Sequence, residues 1–360
     1  MSKNSARFRK RIFAALDAVF RRALQQEEGE GQRMLDIHRD RLVIFSDHHK
    51  GRRDAADDFR LCERAYNAAL AYYDRLGYTL LVLGDVEELW EEWPETVVKA
   101  YQHTLALERK FHQERRYIRV WGNHDDAWSH PDLVEQWLVP ALGGVALNVY
   151  ETLLLHLRDG EDELGRILLF HGHQGTFGSD RISRLSKLAA RYFWRPIQRF
   201  FKIRVNTPAR DFELRYAHDS AMYAWSCDQE KVVLIAGHTH RPVFKSESHE
   251  EVVRRALRKA EEEFARHPGN ARLQQRVAEL AAELEWILAQ NQLAPRDSPM
   301  IEFKKPSYFN SGCCAFLDGD VTGLELSDGE IRLVRWPDDE DRPLPRVLAQ
   351  AKLKDVFAAC

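Results

Sequence analysis

Across 360 residues there are only five cysteines, Cys62, Cys227, Cys313, Cys314 and Cys360, and no two stand at CxxC spacing. An odd number without framework spacing excludes a disulfide scaffold and points to a reduced, cytoplasmic chain. No apolar run approaches the roughly 20 residues that span a bilayer, so no transmembrane segment is expected. The first residues lack an apolar stretch followed by a small-residue cleavage site, so no secretory signal is expected. One-signed charge is also missing: 53 basic and 56 acidic side chains leave a net charge of −3. That balance makes no demand for a nucleic-acid partner. Apolar content is not scarce. Hydrophobic residues make up 44% and aromatics 11%, which excludes a disordered chain. The length suits one large α/β domain with insertions, or two domains.

What is present centres on Gly237-His238-Thr239-His240. Lys231 to Ala236 reads as a short buried strand, the glycine permits a sharp turn, and two histidines follow at a spacing of two. That spacing can aim both rings to one side, where neutral imidazole binds first-row metals. Alone the pair is weak evidence, because strand-end histidines are often plain polar surface.

Four more strand ends carry the same chemistry. Arg41 to Ser46 delivers Asp47-His48-His49-Lys50-Gly51, Tyr78 to Leu83 delivers Gly84-Asp85, and Tyr117 to Trp121 delivers Gly122-Asn123-His124-Asp125. Arg166 to Phe170, paired in antiparallel fashion with Leu153 to Leu157, delivers His171-Gly172-His173. Helices fall between the first three strands, approximately over residues 59–76 and 94–113. This β-α-β-α-β rhythm predicts a doubly wound α/β sheet. Such sheets build sites beyond the carboxyl ends of their strands, so the five clusters can converge. Their inventory suits two metal ions bridged by one carboxylate, with a shared hydroxide placed for in-line attack on phosphorus.

In this order and spacing, Asp47-x-His49-x-Gly51, Gly84-Asp85, Gly122-Asn123-His124-Asp125, His171-Gly172-His173 and Gly237-His238-Thr239-His240 resemble the motifs of the calcineurin-like metallophosphoesterases. Asn310-Ser311-Gly312 resembles the Asn-x-Gly turn that often follows. Gly84-Asp85-x-x-Glu88-Leu89-Trp90 and Gly237 to Pro242 look like the branch containing UDP-2,3-diacylglucosamine diphosphatase. The resemblance implies an αββα sandwich of two mixed sheets flanked by helices, here with helical inserts. It also implies hydrolysis of a phosphodiester or pyrophosphate bond by a metal-bridging hydroxide. Asp47, His49 and His240 would hold the first metal, and Asn123, His171 and His238 the second, with Asp85 bridging. His124 would face the phosphate as stabiliser or leaving-group acid, oriented by Asp125. Manganese is the expected ion, with iron or zinc as alternatives.

Around this domain, taken as residues 36–336, the sequence suggests further parts. Residues 1–31 read as an amphipathic basic helix, either docked on the domain or lying on an anionic membrane surface. An insert at 174–230 holds an acid-free stretch, 181–210, in which Arg191 and Arg195 alternate with aromatics. As a basic, aromatic lid it suits a phosphorylated amphiphile, a membrane face or, less favoured, single-stranded nucleic acid. The plainer alternative is an amphipathic helix packed on the domain. A second insert, 246–298, reads as a charged helical hairpin, and 337–360 as a Pro- and charge-rich tail. Lys50, Arg52 and His173, beside the motifs, are candidate substrate contacts together with Arg191 and Arg195. The expected substrate is nucleotide-containing or lipid-like, met in the cytoplasm or on the inner membrane face. A nuclease, a phosphomonoesterase or protein phosphatase, and a non-enzymatic scaffold are the alternatives.

Overall fold

Period-two geometry sorts the first motif-bearing strand between two cores. In the computed structural model, which describes residues 3–27, 29–175, 212–290, 305–339 and 343–360, Leu42 and Ile44 of β2 (Leu42–Phe45) pack with Leu81, Leu155, Leu169 and Ile235. Val43 and Phe45 point the opposite way, against Tyr66, Leu70 and Tyr73 of helix α2 (Phe59–Arg75). A strand apolar on both faces must be covered on both, and here the covers are a second sheet and a helical layer.

Two seven-stranded sheets result among the described residues. The first contains β3 (Thr79–Leu83), β4 (Tyr117–Val120), β5 (Val149–Tyr150), β12 (Val321–Ser327), β13 (Glu330–Trp336) and β14 (Arg346–Lys352) in the order β14-β13-β12-β2-β3-β4-β5. The second contains β1 (Gln32–Asp36), β6 (Thr152–Asp159), β7 (Asp162–Phe170), β8 (Val232–Ala236), β9 (Val243–Phe244), β10 (Glu247–Ser248) and β11 (Tyr308–Asn310) in the order β1-β6-β7-β8-β11-β9-β10. Both are mixed: β2, β3 and β4 are parallel, as are β7 and β8, while the β12-β13-β14 and β6-β7 pairs are antiparallel. The fold is an αββα sandwich. It is not the single doubly wound sheet that the β-α-β rhythm suggested, because the later strands form a second sheet facing the first.

Helices close both outer faces. α2, α3 (Pro94–Ala100) and α4 (Gln102–Gln113) cover the first sheet. The expected single helix over 94–113 is interrupted at Tyr101, whose buried hydroxyl donates to Asp57 Oδ2 at 2.7 Å. α1 (Lys3–Gln25) and α5 (Phe212–Cys227) cover the second sheet: Ile12, Leu16, Val19 and Ala23 lie at 0–1% exposure against Leu154, Leu168, Met222 and Trp225. The apolar stripe of α1 is therefore occupied within the chain, while Arg9, Lys10, Arg21 and Arg22 remain exposed.

α6 (His249–Arg266) and α7 (Ala271–Gln290) form the hairpin, closed on itself by Val253, Ala260, Leu280 and Ile287. The stretch beyond residue 337 differs from the expected tail. β14 pairs along β13, and α8 (Leu353–Ala358) buries Leu353, Val356 and Phe357 in the inter-sheet core. No helix among the described residues is long and apolar enough to cross a membrane.

Candidate metal centre

The parallel strands β2, β3 and β4 and their counterparts β7 and β8 all end at one rim of the sandwich, and each is followed directly by motif residues. Backbone bonds lace the loops together: Asp47 N donates to Gly84 O at 3.1 Å, His49 N to Asp85 O at 2.9 Å, and Gly237 N to His171 O at 2.9 Å. The sheets are joined across the rim by His238 N donating to Asp47 Oδ2 at 2.9 Å. Glycine is required where these loops touch. A Cβ on Gly122 would stand 2.2 Å from Asp85 Oδ1, and one on Gly237 would stand 2.5 Å from Asp47 Oδ2.

Asp47, His49, Asp85, His238 and His240 all have left-handed backbone, with φ between 51° and 68°. L-residues pay roughly 1–2 kcal/mol each for that conformation. Strain of this kind gathers where side chains must be aimed.

The aim is convergent. Asp47, His49 and His240 bring donor atoms within 4.8 Å of one another, as do Asp85, His171 and His238, and as do His49, Asp85 and His124. Asp85 belongs to two groups and lies between the rest. His171 Nδ1 meets the carbonyl oxygen of Leu83 at 2.9 Å, and a carbonyl only accepts, so Nδ1 carries the hydrogen. The lone pair of Nε2 then faces Asp85 Oδ2 at 2.9 Å. His49 Nε2 and His240 Nε2 approach to 3.1 Å, and the latter lies 3.2 Å from Asp47 Oδ1. Asn123 Oδ1 is buried without a hydrogen-bond partner among the described residues. Lone pairs facing lone pairs in a buried pocket call for positive charge among them. The same demand shows at His171: burial would lower its pKa, but Asp85 and Asp47 push it up to about 9. Carboxylate, amide and imidazole donors suit divalent cations such as manganese, iron or zinc. The residues present fit metal.

His124 sits at the edge of this cluster. Its backbone N donates to Asp85 Oδ1 at 2.7 Å, and Trp90 stacks on its ring at 4.1 Å. The carboxylate that holds the ring is Glu88, 2.7 Å from Nδ1; the same Oε2 lies 3.2 Å from His49 Nδ1. Burial works against charge on His124, yet Glu88 and Asp85 raise its pKa to about 10. Glu88 in turn is drawn down to about 2 by the two rings, against its own burial.

The orientation of His124 by Asp125 is thus corrected. Asp125 is fully buried and accepts from the backbone N–H groups of Gly122 (2.6 Å) and Val86 (2.9 Å), with Arg119 at 3.8 Å. It shapes the loops that carry Asp85 and Asn123 rather than touching His124. Glu88 stood in the GDxxEL stretch, three residues after Asp85, and that proximity was the available signal.

The flanking candidates divide. Lys50 is corrected: fully buried, it points away from the site to Glu108 Oε1 at 2.5 Å, so it is no substrate contact. Arg52 is exposed beside Asp54 at 3.7 Å. His173 is buried against Trp121 and His171, and burial followed by the His171 charge lowers its pKa to about 3. Arg191 and Arg195, with most of the 174–230 insert, lie outside the described residues. The insert's final helix α5 is described, and it contributes residues that sequence reasoning missed. Asp219 accepts from Thr239 Oγ1 (3.1 Å) and Tyr308 OH (2.8 Å) and pairs with Arg241 (3.2 Å), bracing the His238–His240 loop. His218 packs edge-on against His238 at 5.4 Å. No local pattern marked either residue.

Replacing Glu88 by glutamine should cost about 10–100-fold in activity or metal affinity, the usual effect of losing a carboxylate that orients a metal-bound histidine. Steady-state kinetics with metal titration checks it. Wild-type values on both counts would remove Glu88 from the site.

The model of the calcineurin-like phosphoesterase family matches residues 40–242, from β2 to just beyond His240. No curated protein matches the chain. Among solved structures, Vacuolar Protein Sorting 29 from Cryptosporidium parvum is similar over 87% of this chain and 98% of its own, at 12% identity and a TM-score of 0.33. A single mutant of Vps29 from Entamoeba histolytica covers 85% and 97%, at 13% identity and a TM-score of 0.28.

Proposed function

Since the chain belongs to the calcineurin-like phosphoesterase family, a family of metal-dependent phosphoester hydrolases, we propose that it cleaves a phosphodiester or pyrophosphate bond in a nucleotide-containing or amphiphilic substrate. The supporting observation is the pair of donor groups, Asp47/His49/His240 and Asp85/His171/His238, with Asp85 also beside His49. Those residues and Asn123 would hold two divalent cations, manganese by preference. When bound, the cations supply Lewis-acid polarisation of phosphoryl oxygens and a water of lowered pKa.

The protein's own part follows from its hydrogen bonds. Glu88 holds His124 by Nδ1, so Nε2 is the nitrogen left to face substrate. A histidine kept protonated there stabilises charge gathering on phosphorus-bound oxygen and hands its proton to the leaving group. Asp125 and Arg119 keep the loops beneath from shifting, so Asp85 and Asn123 stay in place. Catalysis rather than a scaffold role is supported by the retention of every ligand together with His124.

Metal content by mass spectrometry, joined to assays on bis(p-nitrophenyl) phosphate and p-nitrophenyl phosphate, tests the proposal. Expected are two ions per chain and preference for the diester, abolished by a chelator and restored by manganese. Preference for the monoester would favour the phosphomonoesterase alternative. Chelator-insensitive hydrolysis would overturn the metal assignment.

A further inference from the structure

The loop after β3 grips His124 with three consecutive residues, each at a different point. Glu88 Oε2 lies 2.7 Å from the ring Nδ1, and Leu89 N donates to the His124 carbonyl oxygen at 3.0 Å. The Trp90 indole lies flat on the ring, with centroids 4.1 Å apart and 23° between the planes. The first two contacts fix one ring atom and the backbone. We infer that the third makes Trp90 a positioning residue: its face sets the plane of the imidazole and so aims Nε2 at the leaving-group oxygen. This rests on the phosphoesterase reading of the site and adds the group that holds its acid.

The turn that carries the indole is itself anchored. Leu89 is 4% exposed and belongs to the core beneath the helices, together with Val86, Val97 and Trp128. Glu88 N donates to Lys50 O and Glu92 N to Glu88 O, both at 3.0 Å, which closes the turn around Trp90. A ring held by one hydrogen bond can still tilt about it, and the nitrogen on the far side then moves most. His49 stands perpendicular to the His124 ring, with centroids 4.7 Å apart. Among the described residues only the indole lies parallel to the imidazole, and a parallel face is what opposes tilt. A misplacement of about 1 Å at a reacting atom can cost about a hundredfold in rate.

The indole is not there for a hydrogen bond of its own. Its Nε1 is buried and has no partner among the described residues. Buried tryptophan N–H groups usually find an acceptor, and leaving one unmatched is unfavourable. A leucine could fill the space without that loss, so the flat face is what tryptophan contributes here. One side of that face is already covered by His124, which assigns the indole to the histidine ahead of a stacked substrate ring.

The rate test uses the manganese-loaded full-length chain with phenyl and p-nitrophenyl phosphodiesters. Trp90→Leu should lower kcat on the phenyl ester about tenfold, the upper end of what one aromatic pair contributes. The loss should be smaller on the p-nitrophenyl ester, whose leaving group needs little protonation, with KM and both ions kept. Trp90→Phe retains a flat ring and should recover most of the rate. In a His124→Ala background Trp90→Leu should cost nothing further, because nothing is left to position. A full further loss there, a raised KM with kcat kept, or a phenylalanine variant no better than the leucine one overturns the role. A second readout needs no turnover. In the zinc-loaded chain, which is diamagnetic, NMR cross-relaxation between the His124 and His49 ring protons should appear in wild type and Trp90→Phe and vanish in Trp90→Leu. Its absence from wild type, or its persistence in Trp90→Leu, overturns the role. The expected pattern in a chain that hydrolyses no phosphoric ester would keep Trp90 as the holder of His124 and overturn the catalytic reading. Circular dichroism checks folding, and Trp90→Met replaces the leucine variant if that one misfolds.

Discussion

Asp85→Asn should leave a protein that binds fewer than two ions and turns over at least about a thousandfold more slowly. The expectation comes from the carboxylate's position: Oδ2 stands 2.9 Å from His171 Nε2 and 4.0 Å from His49 Nε2, one ring from each donor group. An amide of the same shape removes the charge that balances both cations and turns N–H hydrogens or a neutral oxygen toward them. Breaking a buried charge balance costs several kcal/mol, and 1.36 kcal/mol is tenfold in rate, so a thousandfold loss is modest by that measure. Oδ1 adds to the damage, because it also receives the His124 backbone N–H at 2.7 Å. Metal analysis of the purified variant beside its kcat is the measurement. Two ions and a normal rate would show that Asp85 does not bridge.

His124→Ala should do the opposite to the metals and nearly as much to the rate. Both ions should stay, because the donor groups around Asp47 and around His171 are complete without it. The rate should fall about 10²–10⁴-fold, the usual contribution of a general acid. The loss should shrink for leaving groups of low pKa, which need little protonation. A series of aryl phosphodiesters of graded leaving-group pKa, run on both enzymes, provides the check. Because His124 also lies within 4.8 Å of donors on His49 and Asp85, the metal count separates the two roles cleanly. Loss of an ion would make His124 a ligand, and an equal defect across the series would end its role as acid.

Much of this site could be read along the chain because each ligand follows its strand directly. A run such as Leu42 to Phe45, then Asp47 and His49, contains both the strand and its cargo within a few residues, and strand ends are where open sheets carry chemistry. The helical hairpin within 246–298 was legible for a similar reason, since helical periodicity is a local signal.

What the sequence could not carry is any property fixed by distant partners. The carboxylate at His124 is Glu88, from the loop after β3, while its own neighbour Asp125 turns inward to backbone amides. The choice depends on how two loops about 36 residues apart meet. Lys50 looked like a phosphate contact by position, but the buried Glu108, 58 residues on, draws its ammonium into the core. Asp219 and His218 lie on a helix with no motif of their own and matter only because α5 packs under the His238–His240 loop. Residues 346–352 read as tail because the Pro- and charge-rich stretch 337–345 precedes them, yet β13 offers a free edge and the backbone pairs with it regardless of side chain. The sequence by itself therefore determined which residues could bind metal and which stretches were strands, since both are written in contiguous pattern. Only the tertiary structure decided which charge faces which, because a buried charge takes its partner from whatever the packing of distant segments brings within a few ångströms.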